Sequence, residues 1–189
     1  MLSTLVFDIE ATDLDADRGV VLCVCWESST QPGKVHTLRN DVVAADEWKK
    51  GVRGNDKEIV KQVCTLIKAH DVLVAHNGTR YDIPFLRTRA LRWGLRPLRE
   101  MKVVDPLQIA WRKFRLRSNR LGSLSDHLGI SDKKTPLDLS IWADATLNGN
   151  KKAMDLIVEH CVADVKVLSG VLSHVKPFIR QLDDRGSAL

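Results

Sequence analysis

Two carboxylates stand two residues apart near the start of the chain, at the end of an apolar run. Asp8 and Glu10 follow the apolar residues 5–7. In a β-strand, residues two apart point to the same side, so both side chains would share one face of a sheet. Carboxylates held this close repel each other unless a cation compensates them, and hard divalent cations prefer oxygen ligands. The pair therefore predicts half of a metal site.

A third carboxylate, Asp82, is expected at the start of a helix. It follows an apolar segment, residues 71–75, and a turn at residues 76–78. The N-terminal amides of a helix favour negative charge, so a functional carboxylate would be well placed there. A simple helix cap explains Asp82 equally well when this residue is taken alone.

His160 and Asp164 stand four residues apart in a mostly apolar segment. On a helix this spacing places both side chains on one face. A histidine and an aspartate beside an apolar face need polar partners. They would either join the carboxylates or form a hydrogen-bonded pair that only holds the helix in place.

The elements that must position these residues follow from the apolar periodicity. Strands are predicted over residues 4–9, 19–26, 34–38, 71–75 and 103–104. Helices are predicted over residues 57–69, 82–93, 107–114, 121–130 and, in one or two pieces, 151–179. Residues 41–55 and 132–146 carry no regular pattern. Three strands followed by alternating helices and strands predict an α/β fold, with a mixed sheet and helices on its faces.

Polar residues mark where two of these helices begin and end. Asn55 or Asp56 would cap the helix that follows them. Ser123 would cap the helix in residues 121–130, and Gly129 would end it.

Taken together, the segments resemble the DEDD (DnaQ-like) superfamily of 3′–5′ exonucleases, which has the RNase H-like fold. Residues 7–14, 75–86 and 160–164 are similar to its three motifs in order, and residues 104–107 and 121–130 resemble its connecting region. The resemblance covers nearly the whole chain and is closest to the proofreading domain of family B DNA polymerases. His160 departs from that pattern, because it occupies the position, four residues before the last aspartate, where those domains carry tyrosine.

The resemblance implies an RNase H-like mixed five-stranded sheet with helices on both faces, in a single domain over residues 1–182 with a flexible tail at 183–189. It implies a metal-dependent exonuclease that removes nucleoside monophosphates from the 3′ end of DNA, preferably single-stranded. Two Mg²⁺ or Mn²⁺ ions would be held by the four carboxylates. Asp8 would bridge both ions, Glu10 and Asp164 would complete one site, and Asp82 would serve the second. His160 would accept a proton from the attacking water or orient it.

Contacts with the nucleic acid are implied at Thr12, Leu14, Asn77 and Tyr81. Residues 80–120 also hold twelve Lys or Arg against three acids, which suits a polyanionic partner. The cations expected to follow the phosphates are Arg112, Lys113, Arg115, Arg117 and Arg120. Solvated helix faces are the alternative explanation for these cations. Trp111 and Phe114 would either stack on bases or pack in the core.

The bulk properties narrow the class of protein. A length of 189 residues fits one domain, and we expect a monomer. The four cysteines show no zinc-like spacing and are expected to be small buried apolar residues. The chain has no apolar run long enough for a membrane span and no secretory leader, so we expect a cytoplasmic protein. Its short form would suit a phage nuclease in the host cytoplasm.

Other functions on this fold stay open at the level of the sequence. A structure-selective endonuclease and an RNA 3′ exonuclease would use the same carboxylates, since a fold does not determine its substrate. An inactive nucleic-acid-binding module is the third alternative, but such a module would not need four carboxylates brought together.

Overall fold

A computed structural model of the chain describes residues 2–96, 98–132 and 137–179. The predicted end of the domain at residue 182 and the predicted tail at 183–189 lie outside the described residues. Among the described helices, none combines the length and the apolar character that crossing a membrane requires.

The centre of the molecule is a mixed five-stranded sheet with the order β3-β2-β1-β4-β5. β2 runs antiparallel to β1 and β3, whereas β4 and β5 run parallel to β1. The strands are β1 (Thr4–Ala11), β2 (Val21–Ser28), β3 (Val35–Arg39), β4 (Val72–Val74) and β5 (Lys102–Val104). This sheet confirms the predicted α/β architecture.

Eight α-helices are described. They are α1 (Asn40–Val43), α2 (Ala45–Lys49), α3 (Lys57–Lys68), α4 (Asp82–Arg92), α5 (Pro106–Lys113), α6 (Leu121–Leu128), α7 (Ser140–Ala143) and α8 (Lys151–Val175). A π-helical turn, Asp144–Asn148, follows α7, and a 3₁₀ turn, Lys176–Phe178, follows α8. The segment predicted as one or two helices near the end is therefore one continuous helix.

The prediction of irregular structure was wrong for parts of two segments. α2 lies within the first and α1 overlaps it from residue 40, while α7 lies within the second and its π-helical turn extends two residues beyond it. The short helices are stabilised by tertiary contacts that a local pattern does not show. Trp48 of α2 is only 8% exposed, and the buried Asn40 donates from Nδ2 to the carbonyl of Asn55 at 3.1 Å.

Of the two predicted caps, that of α3 is confirmed and that of α6 is wrong. Asp56 occupies the N-cap position of α3 but its side chain makes no capping bond, and the Lys57 amide donates to Asn55 Oδ1 at 3.0 Å. The Asp56 carboxylate instead accepts from Arg89 at 2.7 and 2.8 Å. α6 begins at Leu121, before Ser123, whose hydroxyl donates to Ser118. Gly129 ends α6 with a φ of 67°, as predicted.

The two faces of the sheet carry separate cores. Leu5, Phe7 and Ile9 pack on the side of α3 and α4. Val6 and the alternate residues of the neighbouring strands pack on the side of α5, α6 and α8. Because side chains alternate along β1, Asp8 and Glu10 lie on the α8 side.

Candidate active site

Asp8 and Glu10 lie in the central strand at the edge of the α8 core. They face Cys25 and Cys23 of β2 in the antiparallel register, and both are half-buried. The register shifts between Glu10 and Ala11, which marks a β-bulge at the end of the pair. Bulges redirect side chains at strand ends and are common beside active sites.

α8 brings His160 and Asp164 to this pair. The side chain of Asn150 caps the helix by accepting from the amides of the first turn. His160 is 7% exposed and Asp164 is 4% exposed. His160 Nε2 lies 3.8 Å from Glu10 Oε1 and 3.9 Å from Asp164 Oδ2. Ligand atoms of Glu10, His160 and Asp164 all lie within 4.8 Å of one another, so this group could hold a cation.

Asp82 approaches the pair from α4. It is the first helical residue, it is 2% exposed, and the N-cap position belongs to Tyr81. The pKa of Asp82 is raised to about 7, mainly by burial and to a smaller extent by the charge of Asp105, while hydrogen bonds from the backbone of Asp82 and Ile9 oppose the shift. Ile9 lies between Asp8 and Glu10, so the Asp82 carboxylate is beside them. Its Oδ1 is buried and has no hydrogen-bond partner among the described residues. Asp82 is therefore the first residue of α4 and not its N-cap.

The phenol of Tyr81 lies close enough to several of the carboxylates for their charges to shift its pKa. Its phenol is half-buried, and its pKa is raised first by burial and then by the charges of Asp82, Glu10 and Asp8. A single side chain thus lies within electrostatic reach of carboxylates from β1 and from α4.

Asp105 organises the turn before Asp82 and was missed as a site residue. It is 4% exposed and occupies the N-cap of α5. Oδ1 accepts from the amides of Asn77 and Leu107 at 3.0 and 3.1 Å, and Oδ2 accepts from the hydroxyl of Thr79 at 2.9 Å. The available signal was Asp105-Pro106 after a strand, which is typical of a helix start.

Trp142 of α7 was also missed. Its ring meets the ring of His160 edge to face, with centroids 6.2 Å apart and planes at 83°. Trp142 lies in the segment without a regular pattern, so no local signal indicated its contact with a residue eighteen positions away.

Three of the residues predicted to contact nucleic acid lie after β1 or in the turn before α4. Thr12 follows β1, and its hydroxyl accepts from the Val20 amide at 3.0 Å. Leu14 is 80% exposed in the following loop. Asn77 adopts a φ of 65° in the turn before α4, which asparagine tolerates better than most residues.

The cationic segment presents one exposed aromatic ring beside this turn. Trp111 is 66% exposed, with the Arg80 guanidinium 5.6 Å from its ring centroid. Phe114 is half-buried and packs edge to face on Phe178 with centroids 4.9 Å apart. The five predicted phosphate contacts are all exposed, namely Arg112, Lys113, Arg115, Arg117 and Arg120.

Three of the four cysteines meet directly beside the carboxylates. Cys23, Cys25 and Cys161 are buried, and their sulfur atoms lie within 4.8 Å of one another. Hydrogen bonding from Cys161 lowers the pKa of Cys25, whereas burial raises the pKa of Cys161. The sequence predicted burial but not the cluster, because Cys161 is remote from the other two along the chain.

Comparisons with known proteins give relatives among DNA polymerases. The PolC-type DNA polymerase III of Ureaplasma parvum is 29% identical over 158 residues, which cover 74% of this chain and 11% of the relative. A DNA polymerase of Methanocaldococcus jannaschii is 27% identical over 99 residues, which cover 50% of this chain and 6% of the relative. This chain therefore spans only a small part of the length of these relatives.

The fold agrees with a solved structure as well. The family B DNA polymerase of Pyrobaculum calidifontis matches 94% of this chain and 25% of its own, with a TM-score of 0.71 and 17% identity. A profile of the RNase H superfamily matches residues 5–176. The predicted relation to DNA polymerases and the predicted RNase H-like fold are confirmed, and the chain belongs to the RNase H superfamily.

Proposed function

We propose that the chain is a 3′–5′ exonuclease that releases nucleoside monophosphates from DNA, preferably single-stranded. The observation that carries this proposal is that ligand atoms of Glu10 from β1 and of His160 and Asp164 from α8 lie within 4.8 Å of one another. Asp8 shares the sheet face of Glu10, and Asp82 begins α4, within electrostatic reach of the Tyr81 phenol that also senses Asp8 and Glu10. The resemblance of these segments to exonuclease motifs and the polymerase relatives support the proposed direction of the reaction and the proposed DNA substrate.

The residues fit a divalent metal centre. Asp8, Glu10, Asp82 and Asp164 supply only oxygen ligands, which Mg²⁺ and Mn²⁺ prefer. The buried Oδ1 of Asp82 has no hydrogen-bond partner among the described residues, and a bound cation would compensate for this missing partner. These four residues would hold two ions. When bound, such ions lower the pKa of water and neutralise charge on the scissile phosphate and the leaving oxygen.

His160 supplies the proton acceptor in this proposal. Its Nε2 faces the oxygens of Glu10 and Asp164 at 3.8 and 3.9 Å, so a water in this space would lie within reach of the ring. The ring of Trp142 packs edge to face against the imidazole. A neutral imidazole held in this way can take the proton of the attacking water at neutral pH.

The substrate would enter past the turn that precedes Asp82. Arg80 and the exposed Trp111 form a platform on which a base can stack while the cation contacts a phosphate. Tyr81 and Asn77 lie in the same turn and would meet the terminal nucleotide. Unpaired bases stack on such a platform more freely than bases inside a duplex, which supports the proposed preference for single-stranded DNA.

The test is a time course on a 5′-labelled single-stranded oligonucleotide with Mn²⁺. We expect a ladder that shortens from the 3′ end, and we expect Asp164→Asn to abolish it. Glu159→Gln is the matched control, because Glu159 is an exposed residue of the same helix. An intact wild-type substrate in every divalent metal would contradict the proposal.

The same assay separates the alternative functions. Cleavage of a circular single strand would identify an endonuclease. Faster shortening of RNA than of DNA would identify an RNA exonuclease. Binding without cleavage would identify an inactive module.

A further inference from the structure

A cluster of three thiols lies immediately next to the carboxylates on the α8 face of the sheet. Cys23 and Cys25 belong to β2, and Cys161 lies on α8. All three are fully buried, and their sulfur atoms lie within 4.8 Å of one another. Cys64, in contrast, packs in the core on the opposite face of the sheet.

The thiol cluster is in contact with Asp8. Cys161 Sγ lies 3.5 Å from both the backbone oxygen and Oδ2 of Asp8. The sheet register pairs Asp8 with Cys25 and Glu10 with Cys23, so the thiols and the carboxylate pair share one surface of the sheet. Because Asp8 is half-buried and the thiols are fully buried, an ion would reach the sulfurs past the Asp8 carboxylate.

This donor set suits a soft divalent ion. Structural Zn²⁺ takes four ligands in a tetrahedron with Zn–S near ~2.3 Å, which corresponds to sulfur atoms roughly 3.8 Å apart. The three sulfurs already lie within 4.8 Å, so closing on an ion would require shifts of only about 1 Å. Asp8 Oδ2, which lies 3.5 Å from Cys161 Sγ, would supply the fourth ligand once the cluster closes on an ion. Mg²⁺ prefers oxygen ligands and would not bind the sulfur atoms, so the thiol cluster selects soft ions over Mg²⁺.

We propose that Cys23, Cys25 and Cys161 form a binding site for Zn²⁺ or another thiophilic divalent ion, with Asp8 Oδ2 as the fourth ligand. Binding releases the thiol protons to solvent. Asp8 would then bind the sulfur-bound ion, so the proposed oxygen-ligand metal centre would lose one of its four carboxylates. Thiophilic ions therefore inhibit cleavage. This inhibition rests on the proposed nuclease function, whereas the binding of the ion to the thiols does not depend on it.

Cd²⁺ is the direct probe of the site, because sulfur-to-cadmium charge transfer absorbs in the ultraviolet. Titration of the reduced full chain in excess Mg²⁺ should give this band with one Cd²⁺ per chain. Cys161→Ala should weaken binding by at least ~100-fold, since disturbing only the support of a metal ligand already weakens binding by ~10–100-fold. Cys64→Ala should bind like the wild type.

Several outcomes of the titration would overturn the site. They are no band in the wild type, an undiminished band in Cys161→Ala, or a band lost in Cys64→Ala. Circular dichroism checks that each variant is folded. If Cys161→Ala is unfolded, Cys23→Ala serves in its place with the same expectation.

Inhibition is measured separately as the exonuclease rate in Mg²⁺ with added Zn²⁺. The wild type and Cys64→Ala should lose activity at the Zn²⁺ concentration that fills the site, while Cys23→Ala, compared with its own zinc-free rate, should resist. Equal inhibition of all three would mean that Zn²⁺ acts on the carboxylates, which would overturn the inhibitory role. A chain that binds Cd²⁺ through sulfur but cleaves nothing would instead contradict the proposed nuclease function.

Discussion

His160 combines a histidine side chain with a position that the related proofreading domains fill with tyrosine. Its Nε2 lies between oxygens of Glu10 and Asp164, and the packing of Trp142 holds the ring. We expect His160→Ala to lower the cleavage rate by at least ~100-fold, the low end for the loss of a general base. Single-turnover rates in Mn²⁺ measure this effect.

His160→Tyr distinguishes the two roles of the residue. A tyrosine can orient water but is a poor proton acceptor at neutral pH, because its pKa is near ~10. If His160 acts as a base, the tyrosine variant should be as slow as the alanine variant. Wild-type rates in His160→Tyr would show that the residue only orients the water.

Asp82 makes the stability of the metal-free chain depend on pH. Its pKa is raised from 3.8 to about 7 in the folded state, so the folded chain binds more protons than the unfolded chain between these values. The free energy of unfolding should therefore fall as pH rises from about 4 to 7. In the presence of a chelator, the free energy of unfolding of Asp82→Asn should fall over this pH range by on the order of 1–3 kcal/mol less than that of the wild type. Urea unfolding at several pH values measures the difference.

Two results bear on the cause of that pH dependence. Added Mn²⁺ should restore the stability of the wild type at pH 8 more than that of Asp82→Asn, because bound cations stabilise the ionised carboxylate. Parallel pH curves for the two proteins would contradict the raised pKa of Asp82.

At the scale of elements, Asp105 joins the turn before α4 to the start of α5. Its two oxygens accept from Asn77, Thr79 and Leu107. Asp105→Ala should lower the free energy of unfolding by about 2–4 kcal/mol, because it leaves several backbone and side-chain donors without their acceptor. Chemical denaturation measures the loss, and the exposed Asp126→Ala on α6 is the control. A loss equal to that of the control would mean that the turn does not depend on Asp105.

The elements show what a sequence can and cannot predict. The strands, α3, α4 and α8 carry their own apolar periodicity, so their order and approximate bounds were predictable. α1, α2 and α7 are short and depend on tertiary burial, as Trp48 illustrates, so local patterns missed them. Asp8, Glu10, Asp82 and Asp164 were proposed as metal ligands from motif spacing, whereas Asp105, Trp142 and the thiol cluster could not be, because their contacts join distant segments of the chain.

Across the whole molecule, the exposed ring of Trp111 and the cationic residues around it lie beside the turn that leads to Asp82. Trp111→Ala should weaken binding to single-stranded DNA by about 1–3 kcal/mol, the usual contribution of one stacking residue. Fluorescence anisotropy in Ca²⁺, chosen to limit cleavage, measures the affinity. Leu91→Ala removes another exposed apolar side chain, which is 81% exposed on α4, and should leave the affinity unchanged. Equal affinities for the wild type and Trp111→Ala would contradict the proposed stacking of bases on Trp111.

In the proposed nuclease, four carboxylates from β1, α4 and α8 build one centre for two divalent ions. The most direct measurement is the anomalous scattering of a crystal soaked in Mn²⁺. We predict two peaks about 4 Å apart, the spacing of two-metal sites, between Asp8, Glu10, Asp82 and Asp164. Peaks that avoid these carboxylates, or an absence of peaks at saturating Mn²⁺, would contradict the account.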